Sequence, residues 1–485
     1  MALIVDILKK SCIEFGDKAA FRVKIAGSWI EHSYRDLWLA SDRVATAIER
    51  FGLESGDRCA ILAPSSPDWV KCYLGILKAN GIVVPIDKEL KKGELKHILA
   101  NAEAKILFTE QSFLDVIDEI REDLPFLEKI VLLNQPVNGT DHPSSVRAEG
   151  TLTTLFAEWQ RLIRHYRISD EDANRFESLA ASVQSLLFPE LTQRSNNEGH
   201  NLLKRLRGAV ASNMPKTEVL ETFMTEGKPP KLRREADDPA VILYTSGTTG
   251  RSKGAMLSHR NIVSNIQTCV ALFRLDHSVR TLSFLPINHV FEQVGGILLP
   301  LSIGGTISFA ESLKKLAGNL AEVRPNFLLG VPAVFRLLLD RMTKKIESQP
   351  FSRALYALPL TRSLVTSKVR QAFGGNPIFV SGGAALDPKV ANGLTALGID
   401  IFQGYGITET SPVISAESPN CRRVGTTGKP IAGVEVQIHE PNSEGIGEIW
   451  VKGPNVMLGY FNNPEATKEV LTDGWYHTGD LGRID

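Results

Sequence analysis

The sequence has few cysteines, no excess of either charge and a low content of aromatic residues. Its five cysteines are scattered, without a Cys-x-x-Cys pair or a cysteine–histidine spacing typical of a zinc site. This distribution predicts reduced thiols in a cytoplasmic protein rather than a disulfide framework. Lysine plus arginine and aspartate plus glutamate both total 55, so no overall field favours an anionic surface, and no nucleic-acid partner is expected.

Long apolar segments are missing as well. The chain contains no run of about 18 apolar residues, so we expect no membrane-spanning helix. Residues 1–6 carry no basic segment and already include an aspartate, which argues against a secretory signal peptide. A chain of 485 residues is too long for one small core and predicts two or three packed subdomains.

Helix and strand patterns alternate along most of the chain. Residues 34–51 carry apolar side chains at helical spacing, whereas the short apolar runs 59–62 and 82–85 are typical of strands. This alternation predicts an α/β fold with doubly wound, mostly parallel sheets in two packed subdomains. Later strand patterns, separated by Gly and Pro, predict a small antiparallel, barrel-like subdomain. The predicted divisions are a first α/β subdomain at 1–154, a helical insertion at 155–232, a second α/β subdomain at 233–423 and the small β subdomain at 424–485.

The predicted insertion is polar and carries basic clusters beside leucines. These basic residues are Arg161, Arg164 and Arg167, then Lys204, Arg205 and Arg207. A basic amphipathic helix can lie on anionic lipid, which would add a peripheral membrane contact, or it can contact an acidic carrier protein. The alternative is a solvated helical insertion packed on the outside of the molecule.

Residues 244–254 form the segment richest in chemistry. They read Tyr-Thr-Ser-Gly-Thr-Thr-Gly-Arg-Ser-Lys-Gly and follow the apolar run 240–243. Glycines let backbone N–H groups approach phosphate oxygens, hydroxyls add donors, and Lys253 adds a positive charge. A Walker A loop is excluded, because its lysine follows glycine directly and leads into a helix. The segment therefore predicts another kind of phosphate loop, with a flexible linker as the alternative.

Four further segments follow the phosphate loop in the same order as the motifs of a known family: 286–291, 381–385, 404–410 and 475–480. Together with the phosphate loop they resemble the adenylate-forming superfamily of acyl-CoA synthetases, luciferases and peptide-synthetase adenylation domains. The likeness is greatest to bacterial long-chain acyl-CoA synthetases. It rests on the segments 331–335, 379–384, 403–413 and 424–430.

The resemblance implies a role for each matching residue. The residues implied in ATP or AMP binding are Thr245, Ser246, Gly247, Thr248, Thr249, Gly250, Lys253, Gly382, Gly383, Ala384, Gly404, Tyr405, Gly406, Thr408 and Asp480. Lys253 and the loop hydroxyls would hold the β- and γ-phosphates, and Thr408 the α-phosphate. Tyr405 would face adenine, and both oxygens of Asp480 would accept the ribose hydroxyls. The alternatives are a core tyrosine at 405 and a turn aspartate at 480.

Catalytic roles are implied for Lys253, His289, Thr408 and Glu409. Hard Mg²⁺ prefers carboxylate oxygen, so Glu409 is the expected metal ligand. His289 would line the passage between the acyl pocket and the α-phosphate and help to orient the carboxylate. An ordinary surface or core histidine is the alternative for His289.

The implied activity is ligation of a fatty acid to CoA through an acyl-adenylate, with ATP, Mg²⁺ and CoA required. One rival interpretation transfers the acyl group to acyl carrier protein or stops at the adenylate. Another is a non-catalytic nucleotide-binding or interaction protein. The resemblance also implies a mobile C-terminal domain after Asp485, carrying a further lysine. Without it, we expect binding of MgATP and acyl-adenylate with slow adenylation.

Overall fold

The computed structural model describes residues 2–133, 216–245, 251–350, 356, 359–375 and 377–485. Its strands, numbered in chain order, are β1 (Ala19–Ile25), β2 (Ser28–Ser33), β3 (Arg58–Leu62), β4 (Ile82–Pro85), β5 (Ile106–Thr109), β6 (Lys129–Leu132), β7 (Lys216–Val219), β8 (Pro239–Thr245), β9 (Lys253–Ser258), β10 (Arg280–Ser283), β11 (Thr306–Phe309), β12 (Phe327–Gly330), β13 (Ile378–Ser381), β14 (Asp400–Gly406), β15 (Val413–Ala416), β16 (Lys429–Pro430), β17 (Glu435–His439), β18 (Gly447–Lys452), β19 (Gly459–Tyr460), β20 (Leu471–Thr472) and β21 (Trp475–Gly482).

Helices alternate with these strands through most of the described chain. The α-helices span Ile4–Glu14, Tyr34–Phe51, Pro67–Lys78, Lys92–Asn101, Leu114–Ile120, Leu220–Phe223, His259–Phe273, Leu299–Ser302, Leu316–Val323, Pro332–Glu347, Pro359–Ala372, Pro388–Ala396 and Pro464–Val470. A π-helix, Phe291–Leu298, leads directly into the helix that begins at Leu299. A short 3₁₀ turn, Thr408–Thr410, follows β14.

The largest sheet has eight strands in the order β19-β9-β8-β4-β3-β5-β6-β7. The strands from β8 to β7 run parallel, and β9 and β19 add an antiparallel edge. Strands β4, β5 and β6 are buried along their whole length. Burial on both faces is what continuous apolar runs predict for a parallel sheet covered by helices.

The described residues also form three smaller sheets. One has the order β12-β13-β14-β15-β16, parallel at first and antiparallel from β14 onward. A second has the order β10-β11-β1-β2. The third, β17-β18-β21-β20, is antiparallel throughout. The predicted α/β fold with mostly parallel sheets and a small antiparallel subdomain is confirmed.

Strand pairing crosses the predicted subdomain boundaries. The β8–β9 hairpin, expected in the second α/β subdomain, pairs through β8 with β4 of the largest sheet. Strand β19, from the small β subdomain, pairs with β9, and β1 pairs with β11 of a later segment. Hydrogen bonding between strands depends on tertiary contact and not on proximity along the chain, so composition shifts did not reveal these pairings.

The expected helical insertion lies mostly outside the described residues. Of its range, residues 216–232 are described, and the first four form strand β7, which pairs in parallel with β6. The membrane and carrier-protein contacts considered for this segment depend on residues 161–207 and stay predictions. Within the described ranges, no helix is both long and apolar enough to cross a bilayer.

Candidate functional site

The β8–β9 hairpin brings the two ends of the predicted phosphate loop together. Thr245 and Lys253 are paired across the hairpin, and Tyr244 is paired with Gly254. A Cβ atom at Gly254 would lie only 3.0 Å from Cζ of Tyr244, so glycine lets the tyrosine ring cross this strand. Residues 246–250, including the predicted Ser246, Gly247, Thr248, Thr249 and Gly250, lie outside the described residues.

The segment after β14 forms a tight turn that carries Glu409. A Cβ atom at Gly406 would lie 1.9 Å from the carbonyl oxygen of Pro412, so only glycine allows the two backbone segments to approach. Asn455 fastens the turn from outside, because its Nδ2 donates to the carbonyl oxygens of Thr410 and Val413, both at 3.1 Å. Thr408 begins the turn immediately before Glu409.

Glu409 is buried, and two hydroxyl groups contact the same carboxylate oxygen. The Tyr460 hydroxyl donates to Oε1 at 2.9 Å, and the Thr245 hydroxyl donates to Oε1 at 3.5 Å. Lys253 Nζ lies 5.3 Å from the centre of the Tyr460 ring. Burial, followed by the charge of Glu409, raises the pKa of Tyr460, which keeps its hydroxyl protonated as a donor. Lys253, Thr245 and Glu409 thus converge around one tyrosine.

Tyr460 reaches this position through strand β19. Its backbone is paired with Ala255 of β9, two residues beyond Lys253. The Phe461 N–H donates to the Gly254 carbonyl at 2.8 Å, and the Leu458 N–H donates to the Met256 carbonyl at 2.9 Å. Residues 458–461 are therefore hydrogen-bonded to strand β9, which follows the phosphate loop.

Tyr405 and Asp480 form a second contact next to the first. The Tyr405 hydroxyl donates to Asp480 Oδ2 at 2.7 Å. Burial and then the hydrogen bond to Asp480 raise the pKa of Tyr405. Tyr476, on the same strand as Asp480, is buried and close to Glu409, Tyr460 and Tyr405, and burial and these neighbours raise its pKa. The two contacts thus belong to one continuous site.

The predicted glycine turn follows the neighbouring strand. Strands β13 and β14 run parallel with Ser381 opposite Gln403, so Gly382 and Gly404 emerge side by side. Gly383 has a φ of +76°, and both it and Ala384 are exposed. The Gln403 side chain accepts the Leu386 N–H at 2.8 Å and closes this turn. The turn therefore presents backbone groups beside the Tyr405 segment.

His289 lies apart from these contacts. Its Nε2 is 3.6 Å from Asp87 Oδ2, and 62% of its side chain is exposed. It lies two residues before the π-helix, whose Gln293 N–H donates to the His289 carbonyl oxygen at 2.9 Å. The observed neighbour of His289 is therefore Asp87, a residue that follows β4.

A narrow apolar cavity of about 40 Å³ adjoins the site. Its walls come from the helix His259–Phe273, the π-helix and strands β12, β13 and β15. The lining residues are Asn265, Ile266, Cys269, Phe273, Phe291, Val294, Gly295, Leu299, Phe327, Leu329, Val380, Pro412 and Val413. Phe291 also packs on Gly382, where an added Cβ would lie 3.0 Å from its ring. One wall of the cavity therefore touches the glycine turn, and another continues from the Glu409 turn.

The π-helix carries a buried acid on a different face from Phe291. Glu292 is 2% exposed, and among the described residues its Oε1 has no hydrogen-bond partner. Its neighbour Gln293 is fully buried, with Oε1 3.5 Å from the Tyr73 hydroxyl. Burial raises the pKa of Glu292 to about 8, although the Ser283 hydroxyl opposes this rise. The acid is therefore protonated and neutral at neutral pH.

Replacing Glu292 by glutamine should make thermal stability less dependent on pH. The native state keeps a proton on Glu292 up to about pH 8, whereas the unfolded chain loses it near its ordinary value, about 4.3. Wild-type stability should therefore fall by about 1.4 kcal/mol per pH unit relative to Glu292→Gln within that window. Thermal melts from pH 4 to 9 should show the variant gaining relative stability and then levelling off. A constant difference, like that expected of the exposed Glu435→Gln control, would contradict this prediction.

Three positions in the site carried no sequence signal. Tyr460 follows a glycine in a turn-rich segment, Asn455 lies between short strands, and Glu292 is one acid in an apolar stretch. Tyr460 and Asn455 contact partners at least 42 positions away in sequence, and Glu292 is distinguished by its burial. Local pattern alone therefore could not distinguish them from ordinary loop or surface residues.

Comparison with known proteins now gives the family. Residues 8–461 match the family model described as AMP-binding enzyme. The chain belongs to the AMP-binding enzyme family. The match begins within the helix Ile4–Glu14 and ends after β19, before the helix Pro464–Val470, β20 and β21.

Two curated relatives in this family cover nearly the whole chain. Long-chain-fatty-acid–CoA ligase ACSBG2 of Gallus gallus is 26% identical over 517 residues, covering 99% of this chain and 59% of its own length. The chloroplastic long-chain-fatty-acid–[acyl-carrier-protein] ligase AEE15 of Arabidopsis thaliana is 30% identical over 540 residues, with 99% and 67% covered. The chain thus spans roughly three fifths to two thirds of the length of these relatives.

Solved structures agree with the fold. The N-terminal domain of FACL13 from Mycobacterium tuberculosis superposes with a TM-score of 0.68 at 20% identity, covering 100% of this chain and 97% of that one. ATP-bound MatB from Rhodopseudomonas palustris gives a TM-score of 0.67 at 26% identity, covering 99% of this chain and 76% of that one. The arrangement of sheets is therefore that of AMP-binding enzymes of known structure.

Proposed function

We propose that this chain binds ATP and a fatty acid and joins them as an acyl-adenylate, which a thiol then captures. A carboxylate oxygen attacks the α-phosphorus, a P–O bond forms, and the bond to the β-phosphate breaks to release pyrophosphate. The thiolate of CoA then attacks the acyl carbonyl carbon, and AMP leaves. The observation that carries this proposal is the convergence of Thr245, Lys253 and Glu409 beside the Tyr405–Asp480 pair.

Charge is the first requirement of the chemistry. Two anions, the carboxylate and the triphosphate, must approach, so the site needs positive charge and N–H donors near the phosphates. Lys253 and Thr245 stand at the two ends of the glycine-rich loop and are paired across the hairpin. Phosphate oxygens bound by that loop would therefore lie next to Lys253, within reach of the buried Glu409.

Magnesium would be held by a small donor set. Mg²⁺ usually uses one or two protein carboxylates and takes its other ligands from phosphate oxygens and water. Glu409 fits this pattern, since it is a buried carboxylate whose two hydroxyl contacts both fall on Oε1. Within the described ranges, no cluster of three or more His, Cys, Asp or Glu residues could hold a metal alone. When bound, Mg²⁺ would offset the negative charge of the phosphates.

The nucleoside would lie along the Tyr405 segment. Tyr405 offers a flat ring for adenine, and the exposed carboxylate of Asp480 can accept hydrogen bonds from both ribose hydroxyls. Gly383 and Gly404 leave room for the close approach of a base. ATP-bound MatB, at 26% identity, supports a nucleotide in this fold.

The apolar cavity would take part of the acyl chain. Its lining is almost entirely hydrocarbon and aromatic, and it meets the site where Phe291 packs on Gly382. Each methylene transferred from water to such a lining contributes about 0.8 kcal/mol. The fatty-acid names of ACSBG2 and AEE15 support a long-chain substrate.

Acyl-dependent binding of an adenylate mimic tests the proposal. We expect the full chain to bind ATP, and to bind an acyl-sulfamoyl adenosine more tightly as its acyl chain is lengthened, by about threefold to fourfold per methylene that enters the cavity. Calorimetric titration measures both, with unacylated adenosine sulfamate as the control. Lys253→Met should weaken ATP more than adenosine. The proposal would be overturned if the affinity depended neither on the length of the acyl chain nor on the presence of Lys253.

A second candidate differs only in the acceptor. AEE15, at 30% identity, is by name a long-chain-fatty-acid–[acyl-carrier-protein] ligase. The adenylate chemistry is common to both, so the acceptor depends on the surface that receives the thiol. Offering CoA and acyl carrier protein in parallel to the acyl-adenylate complex, and following loss of adenylate, separates the two candidates.

A further inference from the structure

The pairing of β21 with β18 changes register next to Asp480, the predicted ribose residue. Trp450 of β18 is paired with His477, but Glu448, two positions earlier, is paired with Leu481, four positions later. The residues 478–480 therefore bulge out of the sheet. Bulges of this kind redirect side chains and are frequent next to functional sites.

Glu448 holds this bulge from the opposite strand. Its Oε1 accepts the backbone N–H of Gly479 at 2.9 Å, and its Oε2 accepts the indole N–H of Trp450 at 3.0 Å. Both oxygens of the carboxylate are thus in use, one on each strand. Hydrogen bonds to an ionised carboxylate are stronger than neutral ones, so the pair fixes the backbone immediately before Asp480.

The remaining contacts of the bulge lead to Asp480 itself. The Thr478 hydroxyl donates to the Ile449 carbonyl at 2.8 Å, and Thr478 Oγ1 accepts the Asp480 N–H at 3.1 Å. Gly479 has a φ of +73°, which favours glycine at the centre of the bulge. The Asp480 carboxylate then projects to the Tyr405 hydroxyl.

Trp450 is a rigid anchor for Glu448. Its indole is stacked between two histidine rings, with centroid distances of 3.7 Å to His439 and 3.9 Å to His477. The interplanar angles are 14° and 12°. Stacking on both faces restricts rotation of the Trp450 side chain. Its indole N–H therefore holds the Glu448 carboxylate in place.

We propose that Glu448 is a positioning residue for the ribose of the nucleotide, acting through the bulge that carries Asp480. This rests on the proposed function, in which Asp480 accepts the ribose hydroxyls. An exposed loop would otherwise lose its order in solution, and a carboxylate displaced by about 1 Å loses much of its hydrogen-bond energy. Glu448 itself does not need to touch the nucleotide.

Binding of ATP and 2′,3′-dideoxy-ATP to single and double variants tests this role. Glu448→Ala should weaken the binding of ATP about tenfold, because only ATP has ribose hydroxyls for Asp480. The affinity for the dideoxy nucleotide should stay within about twofold of wild type. Asp480→Ala should show the same selectivity. The double variant should bind ATP no more weakly than Asp480→Ala, since both changes remove one interaction.

Two further variants keep the test decisive. Glu448→Gln retains one of the two hydrogen bonds and should fall between wild type and Glu448→Ala, which also covers a failure of Glu448→Ala to fold. Glu435→Ala removes an exposed carboxylate from the same sheet and should bind both nucleotides as wild type does. The proposal would be overturned if Glu448→Ala weakened the binding of both nucleotides equally. It would also be overturned if the losses of ATP affinity from the two single variants multiplied in the double variant. If Asp480→Ala weakens both nucleotides equally, the ribose assignment itself fails, and that outcome is distinct.

Discussion

Glu409→Gln should lower the rate of fatty-acid-dependent pyrophosphate–ATP exchange by about 10²–10³-fold, the usual cost of removing one group that balances charge in a transition state. Glutamine keeps the shape of the side chain and can still accept the Tyr460 hydroxyl at Oε1. The substitution removes only the negative charge that would attract Mg²⁺. Exchange rates at increasing Mg²⁺ should show partial recovery, because mass action offsets the weaker site.

Tyr460→Phe is the matched control for this prediction. It removes the 2.9 Å hydrogen bond to Glu409 but keeps the aromatic ring beside Lys253. We expect a loss of about tenfold, the lower end of the range for a single hydrogen bond to a charged group. An exchange rate for Glu409→Gln within threefold of wild type (threefold being about 0.65 kcal/mol) at all Mg²⁺ concentrations would exclude a metal role for Glu409.

Gly406→Ala should destabilise the protein by about 3 kcal/mol or more, whereas Gly404→Ala should change its stability by less than about 1 kcal/mol. A methyl group at Gly406 would meet the Pro412 carbonyl oxygen at 1.9 Å, and that oxygen belongs to the backbone and cannot rotate away. At Gly404 the nearest atoms, from Ser415 and Ala416, lie at 3.6 and 3.8 Å, which is ordinary contact.

Chemical denaturation measures this difference directly. The two glycines stand on the same strand, two residues apart, so the pair separates steric conflict from any general loss of strand geometry. Because Gly404 lies beside the proposed adenine site, the comparison uses unfolding free energy and not activity. Similar stability losses for both variants would show that the turn can adapt and that the Gly406 contact is not rigid.

Several residues that sequence motifs predicted for the site contact one another in the structure. Thr245 and Lys253 were predicted from one loop, Glu409 from a second segment and Asp480 from a third. The roles proposed for them rest on the family resemblance and on functional-group chemistry, which a short motif preserves. Their mutual contacts do not follow from it, because Thr245 and Glu409 are 164 positions apart.

The residues that sequence reasoning missed act between segments. Glu448 received no predicted role, and its two hydrogen bonds appear once β18 and β21 are paired around a bulge. Tyr460 depends on the two-residue strand β19, which is too short to produce a periodic pattern. The expected place of His289 beside the acyl passage stays a prediction, with Asp87 as its observed neighbour.

The amino-acid sequence by itself determined the α/β class, many of the strands and helices, and the chemical groups available for a nucleotide. Periodicity and side-chain chemistry are local properties, and a chain displays them in order. Only the tertiary structure decided that β8 and β9 join the largest sheet and that Tyr460 contacts both Lys253 and Glu409. It also decided that Glu292 is buried and neutral. Strand pairing, burial and proton affinity depend on which distant segments meet, and the linear order of residues does not state that.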